Sequence, residues 1–177
     1  MTEESELDRA RKRQIQDELD RLEESAKFSA QGQFEQAKHW RRVNYWLGIP
    51  ATAFAAAAGG TALATATNHF VAGIMALLSA GLGAVLTTVN ASHHMNQATS
   101  AANAYLEIQT AARQYRQIDL PVADANDARQ QLAELTSRRD EQNKTAEPPG
   151  PRAVKKARAN IATGGQSYEV DGRRAPR

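Results

Sequence analysis

"ATAFAAAAGG", residues 51–60, contains almost nothing but small side chains. It lies in a longer stretch, Val43 to Leu106, that has no Asp, Glu, Lys or Arg. A soluble surface helix would interrupt such a run with charge. The uncharged stretch is long enough for two membrane-spanning helices of about 20 residues each and a continuing helix. Whether it lies in lipid or in protein decides the fold.

The bulk properties fit one domain. The chain has 177 residues, no cysteine and a formal net charge of +2. Disulfides and thiolate metal sites are therefore excluded, and no strong field points to nucleic acid. The opening "MTEESELDRARKRQ" is densely charged and has no apolar core for a signal peptide. The mean hydropathy of −0.59 suggests a soluble protein. That average conceals charged ends and an uncharged middle.

Residues 1–42 read as an N-terminal cytoplasmic helix. Ile15, Leu19, Leu22 and Ala26 recur every three or four positions and share one face. Phe28, Phe34 and Trp40 extend it less regularly, and Gly32 predicts a bend. Lys38, Arg41 and Arg42 are then followed at once by Tyr45 and Trp46. Basic residues, then amphipathic rings, then an uncharged stretch read as a cytoplasmic membrane boundary.

Residues 43–90 read as a transmembrane helical hairpin. The first span, about 46–66, has Pro50 in its opening turn, where its missing N–H costs nothing. Its strongly apolar residues sum to only roughly −1 to −2.5 kcal/mol on an insertion scale. The second span, about 69–90, is "HFVAGIMALLSAGLGAVLTTVN" and sums to roughly −3 to −5 kcal/mol. A link as short as "TATNH" predicts joint insertion with both termini cytoplasmic.

Small residues permit close helix packing in lipid, where no hydrophobic force draws helices together. Ala72, Ala76, Ala80 and Ala84 form a four-residue ladder, as do Ala51, Ala55 and Gly59. A second ladder runs through Thr52, Ala56, Gly60 and Ala64. One side of this surface would meet the other helix of the hairpin, and another would meet a second subunit. Packing confined to one chain is the plainer alternative. Thr61, Thr65 and Asn68 align on the first helix, and Ser79, Gly83, Thr87 and Asn90 align on the second. They are candidate pore-lining residues. The competing reading is lipid-facing threonine bonded to its own backbone.

Residues 91–162 read as a cytoplasmic helical region. The second span continues as one rod with Ala98, Ala101, Tyr105, Ile108, Ala112 and Tyr115 at helical spacing, ended by Pro121. A helix over about 123–143 places Ala128, Leu132 and Leu135 on one face. "EPPGP" breaks the chain before a short basic helix over about 152–161. Residues 163–177 read as a tail. His93 and His94 are adjacent and make a poor metal pair, and "GGQSY" lacks the lysine of a phosphate loop. No catalytic, cofactor-binding or metal-binding set emerges, which points away from an enzyme.

The layout resembles a known family. "AKHWRRVNYWLGI", the uncharged hairpin, "ASHHMNQATSAANAYLEIQTAARQY", "LAELTSRRDEQNKTAEPPGP" and "IATGGQSYEVD" are similar to the SLATT domain over about residues 17–171. The resemblance rests on layout and on diffuse small and aromatic positions. It implies a bacterial two-transmembrane effector module of the cell membrane, associated with nucleotide-second-messenger conflict systems. Such modules are thought to assemble into pores that arrest or kill an infected cell. It further implies homo-oligomers, a lipid bilayer as partner and a separate nucleotide-sensing or other trigger protein. The alternatives are a non-conducting membrane anchor for a cytosolic partner, and a soluble bundle whose Ala-rich hairpin is core.

Overall fold

Helix formers dominate the first 60 residues, and they form one helix, α1, Glu3–Leu63. The computed structural model describes residues 3–63 and 69–168. After α1 come α2 (His69–Val89), α3 (Ala91–Gln114), a π-helical turn (Tyr115–Asp119), α4 (Ala125–Thr145) and α5 (Pro151–Ala162). The described residues contain no strand. The protein is all-helical.

Two sequence expectations about α1 are corrected. Pro50 lies inside the helix rather than in a first turn. Its missing N–H leaves the Trp46 carbonyl without its usual donor, yet α1 continues to Leu63. Gly32 does not interrupt the helix either. A Cβ at this position would come within 3.2 Å of Pro149 Cγ, so the glycine serves close approach.

The chain divides into two compact units, Met1–Gln36 with Ala98–Arg177, and Ala37–Gln97. The first draws together parts of the segments read from sequence as 1–42 and 91–162. Its core holds Ile15, Leu19, Leu22 and Ala26 of α1, Ala101, Tyr105, Ile108 and Ala112 of α3, and Ala128, Leu132 and Leu135 of α4. These are the faces that three- and four-residue spacing predicts. Leu19 is fully buried. Arg116, in the turn after α3, pairs with Asp20 and, at 3.1 Å, with Glu23, tying that turn to α1. The Tyr105 hydroxyl donates to Asn143 Oδ1 at 2.7 Å, tying α3 to α4. Burial pushes the Tyr105 phenol above its usual pKa, which keeps it a neutral donor.

Side-chain amides fasten the C-terminal segment to α1. Gln33 Nε2 donates to the Glu147 carbonyl at 2.7 Å, and the Gly150 N–H donates to Gln36 Oε1 at 3.1 Å. Gln166 Nε2 reaches Gln31 Oε1 at 3.2 Å. Gln31 and Gln33 are buried, and these bonds satisfy groups that burial would otherwise penalise. The guanidinium of Arg113 lies 4.6 Å from the Tyr168 ring centroid.

The ends of α3 and α4 follow from local chemistry. The Leu120 N–H bonds the Tyr115 carbonyl across five residues at 2.9 Å, just before Pro121. Asp124 caps α4 by accepting from the Asn126 and Asp127 amides at 2.7 and 3.0 Å. Those amides, Asp127's first, hold the Asp124 carboxyl below its ordinary pKa. Asp127 is pushed up, first by its hydrogen bond to Asp124 and then by that group's charge. A depressed carboxyl stabilises the fold above its unfolded pKa and loses that contribution as pH falls through the folded value. Asp124→Asn should flatten this acid-side loss, because it keeps an acceptor without the titration. Asp124→Ala should lower the urea midpoint at neutral pH. Equal midpoints for wild type and Asp124→Ala would show that the cap contributes nothing.

Candidate functional site

The second unit is an antiparallel helical hairpin. Ser79 Oγ of α2 donates to the Ala51 carbonyl of α1 at 2.9 Å. A Cβ at Gly48 would lie 3.9 Å from Leu86 Cδ2, in ordinary contact. Near the start of α3, Ser92 Oγ donates to Asn44 Oδ1 at 3.2 Å, and His94 stacks on Trp40 at 4.7 Å between ring centroids. As positions advance along α2 and α3, their partners on α1 retreat. Half-buried Met75, Ser79, Leu82, Leu86 and Val89 mark the α2 face turned to α1. Their spacing of four and three was readable in the sequence, but the small-residue ladders drew the reading away from it.

The remaining surface of α2 has two sectors. At 100° per residue, Phe70, Ile74, Leu77, Leu78 and Val85 cover one flank of the helix, from beside the hairpin face round towards its back. Each is between 42% and 74% exposed. Between that sector and the hairpin face lie Ala76, Ala80 and Ala84, also exposed, while Ala72 is half-buried. A Cβ added at Gly73, Gly81 or Gly83 would meet nothing within 4 Å. The outer side of α1 beyond Pro50 is made of small groups, with Thr52, Ala55, Ala56, Gly59 and Gly60 all exposed.

This contrast separates α2 from the α1 segment. Among the described residues, one helical run is long and apolar enough to cross a membrane. It begins at Phe70, and none of its apolar window is buried. The α1 segment does not reach that standard, because alanine, glycine and threonine contribute little transfer energy.

The sequence-predicted polar residues take several roles. Thr61 Oγ1 donates to the Ala57 and Ala58 carbonyls at 2.8 and 3.0 Å, and Thr87 Oγ1 to the Gly83 carbonyl at 2.9 Å. Their hydroxyl protons are thus committed to their own helices. Ser79 is committed across the hairpin to α1. Asn90 has φ +47° and separates α2 from α3. The helical run continues from Phe70 to Asp119, as the expected rod requires, but is interrupted at this one left-handed residue, a conformation asparagine tolerates better than most side chains. Thr65, Asn68 and Ala64 lie outside the described residues.

The residues read from sequence as a membrane boundary stand together on α1. Lys38, Arg41, Arg42, Tyr45 and Trp46 are all exposed, and Trp46 is 77% exposed. Sequence reasoning missed the Trp40–His94 stack and the Asn44–Ser92 bond near them. Aromatic and amide side chains at both ends of an uncharged stretch were the available signal. No family model, curated protein or solved structure matches the chain.

Proposed function

We propose that the protein is an oligomeric membrane effector whose hairpin crosses the bilayer twice and whose copies assemble into a pore. One observation carries the reading. No residue in the apolar window of the most apolar helix is fully buried in its own chain, although the first unit has a fully formed core elsewhere. Water would penalise that surface by about 25 cal/mol for each Å² of apolar area. Lipid removes the penalty. The weaker α1 segment enters with α2, because the hairpin satisfies its backbone internally and Ser79 joins the two helices.

The basic flank of Lys38, Arg41 and Arg42 favours a cytoplasmic location for both termini. The exposed ladder of Ala76, Ala80 and Ala84 supports assembly with further copies. Together with the resemblance to the SLATT layout, this supports growth arrest in antiphage defence, set off by a separate nucleotide-sensing or other trigger protein. Alkaline carbonate should leave the protein in the bacterial inner-membrane pellet. Liposomes should show ion flux that rises with the protein-to-lipid ratio. Recovery in the soluble fraction without detergent would end the membrane reading.

The hydroxyl geometry favours a second reading, a non-conducting anchor for a cytosolic partner. Thr61 and Thr87 donate to their own helices and Ser79 to α1, so these groups offer a lumen only acceptor lone pairs. Assembled, membrane-inserted protein that gives no flux with the trigger supplied would select this reading.

A further inference from the structure

The basic face of α5 contributes nothing to the core of the unit that carries it. Ala153 and Ala157 are buried, while Arg152, Lys155 and Lys156 are exposed at spacings of three and four. Exposed Ala159 lies among them on the same face. Like charges at these spacings repel one another. Cations in the first turns also face the positive end of the helix dipole. The helix contains no Asp or Glu. Among the described residues, none of the ion pairs involves these three cations. Folding thus provides no reason for the cluster, and local electrostatics opposes it.

The surroundings indicate what would bind there. Pro149, Pro151 and Val154 form an open apolar groove of about 380 Å³, bordered by Lys155 and Arg158. Cations beside shallow apolar relief suit a surface that is anionic outside and apolar beneath. The start of α5 is also fixed, since the Gly150 N–H bonds Gln36 of α1. In the sequence, Gln36 is followed within about ten residues by Lys38, Arg41, Arg42 and Trp46, which read as a membrane boundary. Anionic headgroups attract basic segments over about a Debye length, roughly 8 Å at physiological salt.

We propose that Arg152, Lys155 and Lys156 bind anionic lipid headgroups of the cytoplasmic leaflet, holding α5 against the membrane. The inference rests on the membrane reading above, and its test separates the two. The chain has no cysteine, so Ala159→Cys gives a single labelling site for an environment-sensitive fluorophore. The full-length protein is placed in phosphatidylcholine vesicles with or without phosphatidylglycerol. Anionic lipid should reduce quenching by a neutral aqueous quencher about five-fold or more, because each cation near such a surface adds about five-fold to its partitioning. Replacing the three cations with glutamine should abolish the difference, and Lys155→Arg with Lys156→Arg should retain it. Retention in the charge-preserving variant excludes misfolding as the cause. Equal quenching in both lipids, in protein that resists carbonate extraction, overturns this proposal and leaves the membrane reading intact. Protein that washes off the vesicles removes both. Protection by soluble glycerol phosphate in phosphatidylcholine vesicles also overturns it, because the site would then bind free anions rather than a lipid surface.

Discussion

Ala80→Leu is expected to dissolve the proposed assembly while leaving the protein in the membrane. Ala80 is exposed on α2, in line with exposed Ala76 and Ala84. Gly73 and Gly81 flank this line with open space. Helices in lipid associate by close approach, and a leucine placed where an alanine allowed contact forces the axes apart. Overpacking of a fitted contact costs about 1–3 kcal/mol, and a closed ring bears that cost at every interface. Insertion itself should improve slightly, because leucine transfers into lipid more favourably than alanine. The measurement is the mass of the detergent-solubilised particle, which should fall to that of one chain. Val85→Leu on the bulky sector should leave the mass unchanged. An Ala80→Leu particle of parental mass would place the ladder against lipid and overturn its role as an interface.

The sequence disclosed most of what is governed by periodicity. Ile15, Leu19, Leu22 and Ala26 recur at helical spacing and are buried, and so are Ala128, Leu132 and Leu135. A core face has to repeat at the helical period, so its residues are visible without coordinates. Features that depend on single contacts across the fold left no such trace. Gln31, Gln33 and Gln36 read as ordinary polar helix positions, yet they hold residues more than a hundred positions away. Gly32 suggested a bend because glycine lowers helix propensity, but its function is to admit Pro149. Asn90 looked like one more polar residue on a face, and its backbone conformation ends α2. In the hairpin, composition identified the uncharged stretch but not its pairing. Alanine ladders lie on several sides of each helix at once, whereas Met75, Leu82 and Leu86 select the single face that turns toward α1.

Arginine at Leu77 is the substitution expected to do the most damage in α2. Leu77 is 74% exposed and lies near the middle of the helix. If α2 lay in water, arginine at so open a position would cost almost nothing and would raise solubility. In the centre of a bilayer the same side chain costs about 2.5–3.5 kcal/mol on the translocon scale, and the lost leucine adds about half a kcal/mol. The apolar residues of α2 supply only roughly 3–5 kcal/mol, so most of its preference for lipid would disappear. The α1 segment would not compensate, because its small side chains contribute little. Carbonate-resistant protein should therefore fall by about an order of magnitude or more relative to the parent. Leu77→Ile should match the parent, and Leu7→Arg should too, because Leu7 is an exposed residue of the first unit. Parental levels of carbonate-resistant Leu77→Arg would mean that this face meets water, either outside the membrane or inside a channel. Ion flux from that variant then decides between them, since an arginine facing a conducting path repels cations and shifts selectivity toward anions.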